Sequence, residues 1–141
     1  MKIMLDMWSK MPTRAHPWDA GLDLYAPEDE SVRTISPCGG SVTIDTGVHV
    51  AIPEGFTGFI KAKSGLNVKH CLTCTGVIDS HYTGSIAVKL YNHHPRLSYD
   101  VQPGDKIAQL VILPCVMPTL ELVDILEETD RGDNGFGSTG R

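Results

Sequence analysis

The most regular feature of the sequence is an alternation of apolar and polar residues in short runs that end at turn residues. A period of two places apolar side chains on one face of a β-strand and polar side chains on the other. Pro53-Glu54-Gly55 and Pro103-Gly104-Asp105 are turns, because proline presets φ and glycine accepts a positive φ. The pattern predicts strands at Lys2–Met7, Gly21–Tyr25, Ser41–Asp45, Gly47–Ile52, Phe56–Lys61, Lys69–Thr75, Ser85–Tyr91, Lys106–Pro114 and Thr119–Leu126.

One segment favours a helix instead. Residues Ser64–His70 predict one or two helical turns, with Ser64 as a side-chain cap at the N-terminus. Many short strands, frequent Gly and Pro turns and no internal repeat are typical of a jelly-roll or barrel-like domain. The sequence therefore predicts an all-β fold with one short helix.

The end of the chain has a different composition. After Thr129 come four glycines, one aromatic residue and no aliphatic residue, so this stretch cannot pack as a core strand. Composition alone favours a disordered terminus. Arg131, Phe136 and the hydroxyl pair Ser138 and Thr139 indicate a binding role instead. We therefore divide the chain into a β-domain, residues 1–128, and a flexible glycine-rich arm, residues 129–141.

Length and charge limit the classes of function. A chain of 141 residues, 41% of them hydrophobic, suits one domain with an ordinary core. The net charge of -5 argues against binding to nucleic acid, although local cations and backbone N–H groups can still bind an anion. Asp6 interrupts the first apolar residues, and no segment approaches the length of a membrane span. We expect a cytoplasmic protein that binds no membrane.

The cysteines allow two interpretations. Cys71 and Cys74 form a CxxC pair, which together with His70, His93 and His94 suggests a zinc site. No second CxxC supports zinc, and the alternation around Leu72 places the pair in a strand. Buried reduced thiols are the favoured interpretation.

Two segments in the first half of the chain contain residues suited to binding or catalysis. In Ala20–Ala26, Asp23 points away from its apolar neighbours, which taken alone indicates a solvated strand face. In Lys61–His70, Ser64 and Gly65 offer a hydroxyl and backbone N–H groups at a helix start. Such a place suits a phosphate, and equally a plain helix cap.

Three further segments follow. In Gly76–Ser85, Asp79 stands at the mouth of a hairpin or belongs to an ordinary turn. In Gly104–Ile112, Gln109 interrupts an apolar strand and must find a hydrogen-bond partner or face a site. Residues 131–140 resemble a phosphate-binding loop, but lack the Lys that precedes Ser-Thr in a Walker A sequence.

Taken together, in this order and at this spacing, the five segments resemble the motifs of trimeric dUTPases. The resemblance covers most of the chain from Ala20 onward and is most specific at Arg131-Gly132 with residues 135–140. It implies the jelly-roll-like β-clip fold of that family and a homotrimer whose sites are shared between subunits. The implied reaction is hydrolysis of dUTP to dUMP and pyrophosphate.

The resemblance also implies roles for individual residues. Asp79 would activate a water that attacks the α-phosphorus, and Asp23 would support the site. Mg²⁺ is expected to be bound mainly through the substrate triphosphate and water, with no cluster of metal ligands from the protein. The residues expected at the triphosphate are Lys63, Ser64, Gly65, Gln109, Arg131, Gly137, Ser138 and Thr139. Those expected at the base and sugar are Gly76, Val77, Ile78, Tyr82, Gly84 and Phe136.

The chain departs from the family pattern at a few positions. Lys63 stands where the family usually has Arg, which keeps the charge but loses bidentate geometry. In the third motif, His81, Thr83 and Ser85 replace an acidic residue, Arg and Glu. These changes remove charge from the hairpin and can alter its rigidity or its contacts with other subunits.

Two other functions stay open at this point. The dCTP deaminases share the fold and bind a similar nucleotide, and release of ammonia from dCTP would identify one. A regulatory protein that senses dUTP on the same scaffold is the other, because the hairpin differs from the family pattern.

Overall fold

Strands dominate the computed structural model, which describes residues 1–133. They are interrupted by a single short helix within that part of the chain. The all-β prediction is confirmed for the described residues. The elements in chain order are β1 (Lys2–Leu5), β2 (Gly21–Tyr25), β3 (Arg33–Ile35), β4 (Gly40–Ala51), β5 (Phe56–Lys61), α1 (Ser64–His70), β6 (Leu72–Thr73), β7 (Thr75–Ile78), β8 (Ser85–Asn92), β9 (Tyr99–Val101) and β10 (Lys106–Pro114).

Two antiparallel sheets of four strands enclose the core. The first has the order β1-β4-β8-β6 and the second β2-β10-β5-β7, while β3 and β9 form a separate two-stranded ladder. Ile44 and Val88 of the first sheet and Leu24, Ile60 and Leu110 of the second are almost fully buried in a shared apolar cluster. Two sheets packed face to face in this way give the jelly-roll-like architecture expected from the sequence.

Strand β4 contains an irregularity that matters for the hairpin described below. The sequence predicted two strands, ending and restarting around Thr46, whereas the structure has one strand of 12 residues. Its pairing with β8 shifts between Asp45, opposite Ala87, and His49, opposite Ser85. Gly47 lies inside this bulge with φ +61, a conformation that glycine adopts without strain.

Local patterns located some elements well and others poorly. The predicted bounds of β2, β5, α1 and β10 match the structure. The short strands β3 and β9 were missed. The predicted strand Lys69–Thr75 is wrong over its first half, because the helix continues to His70 and Cys71 forms its left-handed C-cap with φ 56. Ser64 is not the cap: Lys63 occupies that position, and no side chain caps the helix.

The predicted strand Thr119–Leu126 is also wrong for this chain. No strand follows Pro114 in the described residues, and Leu120, Leu122 and Ile125 are 91%, 99% and 85% exposed. An alternating pattern forms a strand only where a neighbouring strand accepts its hydrogen bonds, and residues 1–133 offer none to this segment.

The cysteines differ in their surroundings. All four are free, but only Cys74 is buried, while Cys71 is half-buried and Cys38 and Cys115 are exposed. The expectation of buried reduced thiols for the pair Cys71 and Cys74 is therefore confirmed for Cys74 and only partly for Cys71. Burial raises the pKa of Cys74 to about 11, which makes it a poor nucleophile at neutral pH. Residues 1–133 contain no group of three or more His, Cys, Asp or Glu side chains placed to hold a metal ion.

Residues 1–133 contain no helix that is long and apolar enough to cross a bilayer.

Candidate functional site

The carboxylate of Asp23 lies at the centre of a cluster that joins three sequence motifs. Lys63 Nζ approaches its Oδ1 at 2.5 Å, and Lys106 Nζ approaches its Oδ2 at 2.8 Å. Gln109 Nε2 donates to Oδ1 at 3.4 Å. Strand register explains the convergence: β10 pairs with β2 on one side and β5 on the other, so Gln109 lies opposite both Asp23 and Lys61.

Asp23 is only 2% exposed, so its expected place on a solvated strand face is wrong. It does point away from the core, as the alternation predicted, but Lys63, Lys106 and Gln109 cover it. Its backbone is also fixed, because Asp23 N–H donates to the Thr13 carbonyl at 2.7 Å. A buried carboxylate with two ammonium partners has a fixed position and orientation.

The electrostatics of this cluster follow from the same contacts. Burial would raise the pKa of Asp23, but the hydrogen bonds and charges of Lys106 and Lys63 outweigh it and hold that pKa below its usual value. In return, the hydrogen bond to Asp23 raises the pKa of Lys106. Two ammonium groups face one carboxylate, so the cluster carries a net positive charge at neutral pH.

Gly21 leaves the space in which the Gln109 side chain lies. A Cβ at position 21 would come within 2.9 Å of Gln109 Oε1 and 3.0 Å of its Cβ. Because the two residues belong to paired strands, β2 and β10, a side chain at position 21 would displace the amide from Asp23. The glycine of the first motif therefore positions the glutamine of the fourth.

The start of α1 adjoins this cluster through Lys63, which is the residue directly before the helix. Ser64 and Gly65 form the first helical positions and are exposed. A Cβ on Gly65 would meet no atom within 4 Å, so packing within the described chain does not require a glycine there. The exposed N–H groups of a first helical turn have no partner inside the helix and are available to an acceptor.

The third motif forms the edge of the second sheet and the turn that follows it, residues 79–84. The β-hairpin considered from the sequence is wrong, because β7 and β8 belong to different sheets and do not pair with each other. We use the word hairpin for this connecting turn alone. Gly76, Val77 and Ile78 lie in β7, which pairs with β5 on one side within its sheet. Asp79 follows β7 and is exposed. Its carbonyl accepts a hydrogen bond from Tyr82 N–H at 3.2 Å, which closes a turn.

The turn has two local constraints. His81 has φ 70, a left-handed conformation that is uncommon for a residue with a side chain but is enriched in Asn, Asp and His. Tyr82 O–H donates to the Ser85 carbonyl at 3.1 Å, so the ring folds back across Gly84. A Cβ at Gly84 would overlap the Tyr82 hydroxyl and lie 2.6 Å from its Cζ. Gly84 is therefore needed for this position of the Tyr82 ring.

The two groups of candidate residues lie at opposite ends of the β5–β7 ladder. At one end of the ladder Lys61 pairs with Thr75, and Lys63 follows Lys61 by two residues. At the other end Gly58 pairs with Ile78, which directly precedes Asp79. Asp79 is four residues further along the chain than Thr75, which corresponds to about 13 Å along an extended strand. One chain therefore brings Asp23, Lys63 and Gln109 together but does not bring Asp79 and Tyr82 to them.

The arm is described only in part. Arg131 is exposed, and Gly132 N–H donates to the Thr129 carbonyl at 2.9 Å. The predicted site residues Phe136, Gly137, Ser138 and Thr139 lie outside the described residues.

Sequence reasoning missed the contact between Lys106 and Asp23. Lys106 was not among the predicted site residues, yet it supplies the second ammonium of the cluster. Its place at the first position of β10, opposite Tyr25, was a usable signal, because a strand pairing with β2 brings it next to Asp23. Asp45 and His49, which contact the hairpin, carried no motif signal.

Comparisons with known proteins agree with this arrangement of motifs. The family model of dUTPases matches residues 8–140. The deoxyuridine 5'-triphosphate nucleotidohydrolase of Leifsonia xyli subsp. xyli (strain CTCB07) is 42% identical over 134 residues, which cover 93% of this chain and 86% of the relative.

Solved structures of dUTPases are also similar to this chain. Staphylococcus bacteriophage 80alpha dUTPase with dUPNHPP superimposes with a TM-score of 0.88 at 31% identity, covering 99% of this chain and 98% of that one. A mutant dUTPase from phage phi11 of S. aureus, described with the coordination of a structural Mg(II) ion, has a TM-score of 0.79 at 30% identity, covering 90% and 98%. The all-β jelly-roll-like fold is shared, and the chain belongs to the dUTPase family.

Proposed function

We propose that this chain is a dUTP diphosphatase, which hydrolyses dUTP to dUMP and pyrophosphate. The observation that carries the proposal is the convergence of Asp23, Lys63 and Gln109, from three separate motifs, beside the exposed start of α1. The relative from Leifsonia xyli carries the corresponding enzyme name.

The positive cluster suits the triphosphate. Lys63 and Lys106 exceed the charge of Asp23 by one, and the backbone N–H groups of Ser64 and Gly65 add donors close by. Phosphate oxygens accept from such groups strongly when the donors are charged. Gln109 completes this side of the site, since its amide has one further N–H available beyond the contact with Asp23.

Magnesium fits the site as a partner of the substrate. Both oxygens of Asp23 are engaged by ammonium groups, and residues 1–133 offer no cluster of metal ligands. Bound to triphosphate oxygens and water, Mg²⁺ would supply positive charge against the developing charge of the leaving group. The protein's part is to orient the phosphates through Lys63, Ser64, Gly65 and Gln109.

Asp79 is proposed as the base. It is exposed at the mouth of its hairpin, where its oxygens are accessible to a water molecule. A carboxylate in hydrogen-bond reach of that water accepts its proton as the oxygen attacks the α-phosphorus. The bond between the α-phosphorus and the bridging oxygen then breaks, and pyrophosphate leaves.

Selectivity for the uracil ring and for the deoxyribose is proposed to depend on β7 and the hairpin. As an edge strand of its sheet, β7 presents main-chain N–H and C=O groups that can pair with the edge of uracil. Cytosine has a donor where uracil has an acceptor, and such a mismatch leaves buried polar groups unpaired. Tyr82, held over Gly84, would lie under the deoxyribose and exclude a 2′-hydroxyl.

A complete site is proposed to need more than one copy. The distance along β7 separates Asp79 from the triphosphate cluster within a single chain. A homotrimer, in which the hairpin of one subunit faces the cluster of another, would join them. Arg131, Phe136, Gly137, Ser138 and Thr139 of the arm would then close over the nucleotide.

Release of pyrophosphate tests the proposal. With Mg²⁺, we expect release from dUTP and little or none from dCTP, dTTP or UTP. Asp79→Asn keeps the size of the side chain but removes the base, so the rate should fall by about 10²–10⁴-fold while dUTP still binds. The reaction assigned to Asp79 is refuted if this variant keeps the full rate. Ammonia released from dCTP would instead identify a deaminase.

A second function rests on the description of a structural neighbour. The structure of the 80alpha dUTPase bears the description that phage dUTPases control transfer of virulence genes by a G protein-like mechanism. We propose, as an alternative, that this chain senses dUTP for a protein partner. Binding of dUTP by the wild-type protein without release of pyrophosphate would favour the sensing role.

A further inference from the structure

The bulge in β4 turns two of its polar side chains toward the hairpin. Asp45 pairs with Ala87 and His49 with Ser85, so four residues of β4 span two of β8 and both side chains lie on the same face. Ser85 Oγ donates to Asp45 Oδ1, and the His49 ring contacts the Thr83 carbonyl. Thr83 and Ser85 are two of the positions at which this chain departs from the family pattern.

The first contact of His49 fixes one of its protons. His49 Nδ1 lies 2.8 Å from the Thr83 carbonyl oxygen. A carbonyl can only accept, so Nδ1 carries a hydrogen and donates it. The carbonyl belongs to the residue directly after Tyr82, and the contact therefore ties β4 to the hairpin.

The surroundings of the second ring nitrogen favour the charged form of the ring. Nε2 is buried without a hydrogen-bond partner, and it lies 3.5 Å from Asp6 Oδ1. In the neutral ring, with the proton on Nδ1, this nitrogen would turn a lone pair toward a carboxylate. In the imidazolium, the same nitrogen carries a proton and pairs with Asp6.

We infer that His49 is a positioning residue for the nucleotide-binding hairpin: its imidazolium connects the Thr83 carbonyl to the Asp6 carboxylate and holds Tyr82 in place. The inference rests on the proposed role of this hairpin in binding dUTP. A second contact also joins β4 to the hairpin, the hydrogen bond that Ser85 Oγ donates to the Asp45 carboxylate.

The charged groups around the ring come from two elements. Asp6 follows β1 and Asp45 belongs to β4, while Lys2 of β1 lines the same shallow pocket as the ring. The hydrogen bond to Thr83 raises the pKa of His49, burial opposes this rise, and Asp6 and Asp45 add to it. The direction of the shift agrees with an imidazolium at this position.

A raised pKa fixes the direction of the pH effect. The charged link is fully formed below the ordinary histidine pKa of 6.5 and is lost as pH rises through the higher value in the folded protein. Above that point the Asp6 contact turns repulsive and the hairpin loosens. We expect KM for dUTP to rise, while kcat changes less because His49 does not touch the reacting atoms.

The test compares wild-type protein with His49→Asn, whose amide nitrogen occupies the place of Nδ1 but carries no titrating charge. Titration of dUTP itself affects both proteins equally, so the informative quantity is the ratio of their KM values. Between about pH 6 and about pH 9 we expect the ratio of wild-type to variant KM to rise by about three- to tenfold, the loss of a charge-assisted contact. A ratio that stays constant across this range overturns the inference.

A measurement on the protein without nucleotide separates this inference from the proposed function. The His49 ring, followed by NMR, should titrate above 6.5, and Asp6→Asn should move its midpoint downward. If wild-type protein hydrolyses no dUTP at any pH, the proposed function fails and this titration alone decides the role of His49. A midpoint at or below 6.5, unchanged by Asp6→Asn, contradicts the link.

Discussion

The carboxylate of Asp23 keeps its charge in a place with little access to water because an ammonium group faces each of its oxygens. Such an arrangement is costly when one partner is removed, since the remaining charges lose their compensation. The partners differ in exposure: the side chain of Lys63 is 24% exposed and that of Lys106 is 41% exposed. Solvent therefore screens part of the interaction, and the net gain is below that of a fully buried pair.

Asp23→Asn should lower the free energy of unfolding at neutral pH by about 1–3 kcal/mol, because two ammonium groups lose their counter-charge. The pKa of Asp23 is lowered from 3.8 by folding, so its stabilising contribution is present above 3.8 and disappears as pH falls through the folded value. Urea unfolding at about pH 7 and about pH 3 measures the free energy of unfolding of both proteins. The difference between wild type and variant should be smaller at the lower pH.

The exposed Asp29 provides a matched control for this experiment. Asp29→Asn removes the same charge without touching the cluster, and its stability should follow the wild type at both pH values. If the difference in free energy of unfolding between wild type and Asp23→Asn is as large at about pH 3 as at about pH 7, the loss of stability does not come from the charge of the carboxylate.

The hairpin between β7 and β8 shows how one small residue positions a larger one. Tyr82 folds over Gly84 and is held by the Ser85 carbonyl, so the ring has room only while position 84 lacks a side chain. His81 adds a left-handed residue to the same turn. The conformation of this element depends on sterics within the hairpin and on the contacts from β4.

Gly84→Ala should displace the Tyr82 ring and lower kcat/KM for dUTP by about ten- to hundredfold. Discrimination against UTP should fall as well, because the ring is proposed to exclude the 2′-hydroxyl. Steady-state rates with dUTP and UTP measure both effects.

A double-mutant cycle with Tyr82→Ala identifies the cause. If Gly84 acts through the tyrosine, the alanine at position 84 should have little further effect once the ring is absent. Fully additive losses would show that Gly84 acts independently of Tyr82.

The same elements show what the sequence could predict. β2, β5 and β10 were located correctly because alternation and turn residues are local signals, whereas β3 and β9 contain only three residues each and leave too short a pattern. The segment Thr119–Leu126 has apolar residues but no partner strand within the described part of the chain, and pairing is not a local property. Convergence of Lys106 on Asp23 likewise follows from the register of β10 with β2.

At the scale of the whole molecule, one chain carries two separate groups of candidate site residues. The cluster around Asp23 and the hairpin with Asp79 lie at opposite ends of the β5–β7 ladder. The segment after β10 exposes a run of large apolar residues to solvent, among them Val116, Leu120 and Leu122. Exposed apolar surface of this kind marks a place for another protein surface. Both features agree with a site that two or more copies complete.

Subunit mixing tests the central claim most directly, namely that the chain hydrolyses dUTP at a site shared between copies. Asp79→Asn disables the hairpin and Lys63→Met disables the cluster, so each variant alone should release almost no pyrophosphate from dUTP. Co-expressed with different affinity tags, they form mixed trimers, and in each mixed trimer about one site in three combines an intact hairpin with an intact cluster. We predict that isolated mixed trimers recover about a third of the wild-type rate; isolated mixed trimers as inactive as each variant alone would contradict the shared site.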